Sequence, residues 1–163
     1  MLTLPKIVQV EAKKYVAVRQ RVQVPFGDHV PPAFDELFAA FDAAGAPRNG
    51  MEFIKYNRIN MPELEIECGM TTDKDIPASG RLVAGVLPAG QYVSLSYTGP
   101  YDDLMTVTAM LIGWAKETGI AFDATQTPEG DVFVSRLEVY HNNPVDEPDP
   151  SKWHTTLLFK IRD

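Results

Sequence analysis

The sequence is poor in the residues that staple, ligate and anchor. Its 163 residues include one cysteine and three histidines. Cys68 alone cannot close an internal disulfide, and in its apolar stretch it reads as a small core residue. His29, His141 and His154 lack the close spacing of metal ligands, so no zinc site is expected. No run approaches the roughly 18–20 apolar residues of a membrane span. The opening Met1-Leu2-Thr3-Leu4-Pro5-Lys6 has no apolar core followed by a cleavage site, so it is not a signal peptide. Gly-x-Ser-x-Gly, a phosphate-binding Gly loop and the Rossmann fingerprint are all missing. Nucleophilic serine or cysteine catalysis therefore has no support, and no cofactor is expected. Basic residues are outnumbered, 15 Lys and Arg against 22 Asp and Glu, for a net charge of −7. Such a surface repels phosphate backbones, so direct nucleic-acid binding is not expected. So little cysteine makes a reducing, cytoplasmic location the default.

What is present suits a single soluble domain large enough to build a core without staples. Hydrophobic residues make up 45% and charged residues 23%, the balance of a globular protein. Tyr15 to Val24 alternates, with Val16, Val18 and Val22 on one side, and predicts a strand with one buried face. Pro31 and Pro32 suit the first turn of a helix, where a missing N–H costs nothing. Phe34, Leu37, Phe38 and Phe41 then give its apolar stripe, and Gly45 and Pro47 end it. Met51 to Asn57 and Glu63 to Met70 follow as strands. In the second, Leu64, Ile66, Cys68 and Met70 alternate with Glu63, Glu65 and Glu67.

The order then repeats. Gly80 to Leu87 is a lead-in strand and Gln91 to Thr98 the next. Asp102 or Asp103 is placed to cap a helix whose stripe is Leu104, Val107, Leu111 and Trp114. A polar loop from Asp123 to Asp131 leads to strands at Val132 to His141 and Trp153 to Ile161. Tyr15-Val16 matches Tyr92-Val93, and Lys55-Tyr56-Asn57 matches Val139-Tyr140-His141, at an offset of about 80 residues. The reading is one α+β domain with internal repeats over about residues 7–70 and 81–161. Tandem strand–helix–strand–strand modules related by a pseudo-two-fold would share one antiparallel sheet. Two helices would lie on one face of it, and a ligand cleft would open between the halves.

Several short runs carry a resemblance. They are Leu87-Pro88-Ala89-Gly90-Gln91-Tyr92, Tyr97-Thr98-Gly99-Pro100-Tyr101, the helix ending Gly113-Trp114, and Arg136-Leu137-Glu138-Val139-Tyr140 before Asn143-Pro144. With Glu63 to Gly69, their order and spacing over Val8 to Ile161 resemble the GyrI-like family, the effector-binding domain of AraC-type and related transcription regulators. That resemblance implies a cleft for varied small molecules, often cationic or aromatic drugs, as in multidrug binding. It also implies two alternatives. One branch of the family hydrolyses strained, cyclopropane-containing natural products, and one member inhibits DNA gyrase. The first core strand begins by about Ile7, so the expectation is a stand-alone member that does not itself read DNA. A protein partner, gyrase or a transcription regulator, stays open.

Glu138 is the first candidate for chemistry. A carboxylate ringed by aromatics suits a cation, and the resemblance implies that in the hydrolase branch an acid here acts on water, with Tyr140 nearby. The plainer reading is a solvated strand glutamate paired with Arg136. If Leu137 and Val139 face the helices, Glu138 faces a groove on the other side. Tyr140 and Tyr56 hold equivalent places in the two halves, for stacking or for ordinary sheet packing. Tyr101 stands where a helix begins at the cleft rim, and Trp153 begins the last strand at another rim position. Trp114 reads as core packing or as the cleft floor. Glu63, Glu65 and Glu67 share a face and read as exposed; if they instead line the groove, Glu65 is the foremost contributor. Met70, Met105 and Met110 read as core filling or as an adaptable lining.

Overall fold

A computed structural model describes all 163 residues. In chain order the strands are β1 (Lys6–Val10), β2 (Lys13–Gln23), β3 (Glu52–Asn60), β4 (Glu63–Thr71), β5 (Leu82–Leu87), β6 (Gly90–Thr98), β7 (Ala124–Thr127), β8 (Gly130–Phe133), β9 (Arg136–Tyr140) and β10 (His154–Lys160). Helix α1 (Val30–Ala43) follows β2, and α2 (Leu104–Glu117) follows β6. Pro31 and Pro32 open α1, and Gly45 and Gly119 adopt positive φ just beyond the two helices. No helix is long and apolar enough to cross a membrane.

The sheet order is β1-β6-β10-β9-β3-β4-β2-β5, with every ladder antiparallel. The order is a palindrome about the β3–β9 seam, as a pseudo-two-fold requires. The seam sets Glu52 opposite Tyr140 and Ile54 opposite Glu138, which makes Tyr56 and Tyr140 counterparts across the axis. The lead-in strands are exchanged between halves: β1 pairs with β6, and β5 with β2.

Both helices lie on one face. Under α1, Ala33, Leu37 and Phe41 pack on Val16, Val18, Ile54, Ile66 and Cys68. Under α2, Val107 and Leu111 pack on Val93, Leu95, Leu157 and Phe159. Full burial of each such aliphatic or aromatic side chain is worth about 1.5–3 kcal/mol. The opposite face carries a third cluster, Tyr15, Ala17, Phe53, Leu87, Leu137 and Val139, which no helix covers. β2 is therefore buried on both faces from Tyr15 to Val18, not on one as its alternation predicts. The aromatic packing there needs two glycines. A Cβ on Gly69 would meet the Phe53 ring at 2.7 Å, and one on Gly85 the Tyr15 ring at 2.8 Å.

Other expectations are corrected by the fold. Val132 to His141 is not one strand: it breaks at Val134-Ser135. The stretch before it, expected to be loop, contains β7, which forms a hairpin with β8. Ala124-Thr125-Gln126-Thr127 has no apolar alternation, so nothing in its pattern marks a strand. Neither Asp102 nor Asp103 caps α2 with its side chain; Asp103 instead accepts a hydrogen bond from the Tyr97 hydroxyl.

Glu67 is the largest departure from the expected exposed glutamates. It is 1% exposed and lies on the face away from the helices. The Tyr15 hydroxyl donates to it at 2.6 Å and Arg19 Nη2 at 3.2 Å, Asn57 Nδ2 donates as well, and Lys55 Nζ lies at 4.0 Å. Burial pushes the Glu67 carboxyl up, but those hydrogen bonds and cations outweigh it and hold it below its ordinary range. Because its folded-state affinity for protons is depressed, its contribution to stability is complete above the ordinary carboxylate range and is lost as pH falls from that range through its lower folded-state value. Removing one partner of a buried charge set leaves the others uncompensated. Glu67→Ala is expected to destabilise the fold by about 3 kcal/mol, read as a lower urea midpoint at unchanged slope. Glu65→Ala should stay within about 0.5 kcal/mol of wild type.

Candidate functional site

The seam and its period-two alternation build the site. β9 presents Arg136, Glu138 and Tyr140 on the helix-bearing face, and β3 presents Glu52, Ile54 and Tyr56 beside them. Leu137 and Val139 point the other way, into the uncovered cluster. Glu138 therefore lies on the same side of the sheet as the helices, opposite to the expected arrangement. Tyr101 enters from the turn before α2, Trp153 from the turn before β10, and Phe26 from the break after β2.

These side chains form a continuous file. Trp153 stacks on Tyr101 with centroids 4.3 Å apart, and Tyr101 meets Tyr140 edge-on at 5.5 Å. The Tyr140 hydroxyl donates to Glu138 Oε1 at 2.7 Å. Tyr56 stands on the neighbouring strand on the same face as Glu138, and Phe26 meets Tyr56 edge-on at 6.2 Å. Trp153 is fixed by its indole N–H, which donates to the Glu147 carbonyl at 2.7 Å. The Thr155 hydroxyl, on the strand position opposite Tyr140, is buried and has no hydrogen-bond partner.

The electrostatics follow from crowding. Burial raises the Glu138 carboxyl above its ordinary range, against the phenol hydrogen bonds from Tyr140 and Tyr56 and the charge of Arg136. Burial and then the Glu138 charge hold both phenols far above their ordinary value, so they remain donors. Tyr101 is pushed up to about 12 by burial and by Glu52 and Glu138. Glu52 is itself raised, by burial and then by Asp146. None of the ion pairs in the structure involves Glu138 or Arg136, so the paired-glutamate reading does not hold. Such a carboxylate, held by phenols and walled by rings, can attract a cation or draw a proton from water.

Of the residues expected at the site, Glu138, Tyr140, Tyr56, Tyr101 and Trp153 come together. Trp114 does not join them; it packs against the α2 core. Glu65 lies on the far side of the sheet, opposite Arg21 and Arg58, because Leu64, Ile66 and Cys68 are drawn under α1. Met70 is buried under α1, while Met105 and Met110 are exposed. Sequence reasoning passed over Phe26 and Glu52. Glu52 was legible as the counterpart of Arg136 once the repeats were aligned on Tyr56 and Tyr140. Phe26, in a turn, left no periodic signal. No three His, Cys, Asp or Glu side chains come together to hold a metal ion.

Comparison with known proteins gives this geometry a context. The model of the GyrI-like small molecule binding domain matches residues 4–162. No curated protein matches the sequence. Among solved structures, the EcmrR C-terminal domain is similar at TM-score 0.73 and 18% identity, over 98% of both chains. In an EcmrR–DNA complex the likeness covers 98% of this chain and 57% of that one, at TM-score 0.76 and 18% identity. This chain thus spans little more than half of that EcmrR chain. SAV2435 bound to tetraphenylphosphonium is similar at TM-score 0.62 and 9% identity, over 98% of this chain and 94% of that one. A chain described as a hydrolase from Listeria innocua is similar at TM-score 0.62 and 14% identity, over 97% and 91%. At these identities the likeness is one of fold.

A raised carboxyl opposes folding as it ionises, so its cost is absent at low pH and grows as pH rises above the unfolded value. Glu138→Gln is therefore expected not to lower the melting temperature at pH 7, and to gain on wild type between pH 4 and 7. Paired thermal melts across that range check this, and a marked loss of stability at pH 7 would contradict it.

Proposed function

We propose that this chain, which belongs to the GyrI-like small-molecule-binding domain family, takes an amphipathic aromatic ligand into the groove over the β3–β9 seam, with a cationic centre set against Glu138. One observation carries the reading: a carboxylate held by Tyr140 at 2.7 Å ends a file of rings running through Tyr101 to Trp153. A fixed charge beside several π faces is how proteins recognise delocalised or quaternary cations, at roughly 0.5–2 kcal/mol per ring. The tetraphenylphosphonium bound to SAV2435, a protein of like fold, supports a cation as probe. With its net charge of −7, direct contact with nucleic acid forms no part of the proposal.

A hydrolase is the second reading. Glu138 sits beside two phenols that stay protonated, so a base and an acid are adjacent. Glu138 would take a proton from water as it adds to a strained, electrophilic ring, and a tyrosine would protonate the carbon or heteroatom released. The two readings share residues and differ in outcome.

Calorimetric titration with tetraphenylphosphonium should show one saturable site that weakens about tenfold in Glu138→Gln and several-fold in Trp153→Ala. Affinity should rise with pH as the raised carboxyl ionises. Absence of saturable binding, or equal affinity in Glu138→Gln, would sink the binding proposal. Cofactor-free hydration of a cyclopropane-bearing electrophile, lost in Glu138→Gln while binding partly survives, would establish the enzyme instead.

A further inference from the structure

Arg136 begins β9, at the end of the strand away from Tyr140, and its surroundings are unlike those of every other arginine in the chain. Its guanidinium carbon lies 4.7 Å from the Phe159 centroid, 4.9 Å from Phe133 and 5.7 Å from Tyr56. Rings fix it, but no carboxylate pairs with it, and its Nε is buried without an acceptor. Leaving a buried donor unmade costs about 1–3 kcal/mol, more for a charged group. An arginine keeps its charge in such a place, because its affinity for protons is too high to surrender one. Its Nε has no partner within the chain, and the rest of the side chain lines an open cavity.

Arg136 also borders a cavity of about 840 Å³ between α2 and the β7–β8 hairpin. Ile112, Phe122 and Phe133 give this cavity apolar walls, and Thr125 and Gln126 give it polar ones. Of the other charges there, Asp123 is paired, while Arg162 is a second cation on the same wall. Asp123 is bound by Lys160 Nζ at 2.9 Å, and Arg162 donates to the Ala124 carbonyl. Burial lowers the Arg136 guanidinium's affinity for protons, against the fields of Tyr56, Glu138 and the acidic neighbour Asp131.

We propose that this cavity is a second binding subsite, distinct from the Glu138 groove, in which Arg136 receives the carboxylate or sulfonate of a flat aromatic molecule. A guanidinium presents paired N–H donors in a plane that matches such acidic groups, while Ile112, Phe122 and Phe133 accept the ring system. The proposal stands on Arg136 and does not require that a cation bind at Glu138.

Fluorescence titration of the intact protein with 1-anilinonaphthalene-8-sulfonate tests it. The expected result is one saturable site, weakened at least tenfold in Arg136→Met and partly restored in Arg136→Lys. 2-Naphthoate should displace the probe and neutral 2-naphthamide should not. Ile112→Trp, at an exposed position on the cavity wall, should block the probe without altering Arg136 or Glu138, and so covers the case in which Arg136→Met fails to fold. Equal affinity in Arg136→Met, equal displacement by the amide, or unimpeded binding in Ile112→Trp would each overturn the proposal. Tetraphenylphosphonium titrated into the same variants separates the two sites: Arg136→Met should keep or tighten that cation, and Glu138→Gln should keep the sulfonate.

Discussion

The antiparallel seam between β3 and β9 is the constraint from which the rest follows. It joins the two halves, places the pseudo-two-fold axis, and fixes which side chains can meet between the helices. A slip of one residue would reverse the faces of a whole strand, carrying Glu138 into the apolar cluster of Phe53, Leu137 and Val139. That cluster has no helix to cover it, so it depends on the register, and the register depends on it. The hydrophobic packing that holds the halves together is thus the same thing that aims Glu138.

The symmetry of the frame is broken by chemistry along the seam. Tyr56 and Tyr140 are counterparts and both serve Glu138. The counterpart of Glu138 is Ile54, and that of Arg136 is Glu52. One half keeps an apolar residue at the centre of the groove and the other puts a carboxylate there. A symmetric pair of carboxylates at those opposed positions would repel at close range. The asymmetric pairing leaves one acid flanked by phenols from both halves, so the site belongs to the domain as a whole and not to either repeat.

The buried Glu67 and the half-buried Glu138 show how a satisfied charge differs from an under-compensated one. Glu67 draws on two cations, a phenol and an amide, and ends below its ordinary proton affinity. Glu138 has phenols and a distant guanidinium, and ends above it. The first is fully satisfied within the chain and has nothing left to offer a ligand. The second is under-compensated, and so are its neighbours Arg136 and Thr155, each with a buried polar atom lacking a partner. A groove with unmet needs on one face and a saturated charge cluster on the other is the physical basis for placing the site with the helices.

The repeats, both helices and five residues of the groove were legible in the sequence, because alternation, capping glycines and the matched Tyr56 and Tyr140 are local signals. Which face Glu138 takes was not. The expectation that Leu137 and Val139 lie under the helices assumes a sheet with one apolar face. Here both faces are apolar, and alternation gives parity without saying which parity meets α1 and α2. Glu67 was hidden for a related reason. Three glutamates at period two read as exposed until the neighbouring strand is known to set Arg19 opposite Glu67 and Arg21 opposite Glu65. Charges that repel along a strand are neutralised across it, and cross-strand register is what a single sequence encodes least directly. Glu67 takes its partners from β2 and β3, so the pairing of strands had to be known before its place could be read.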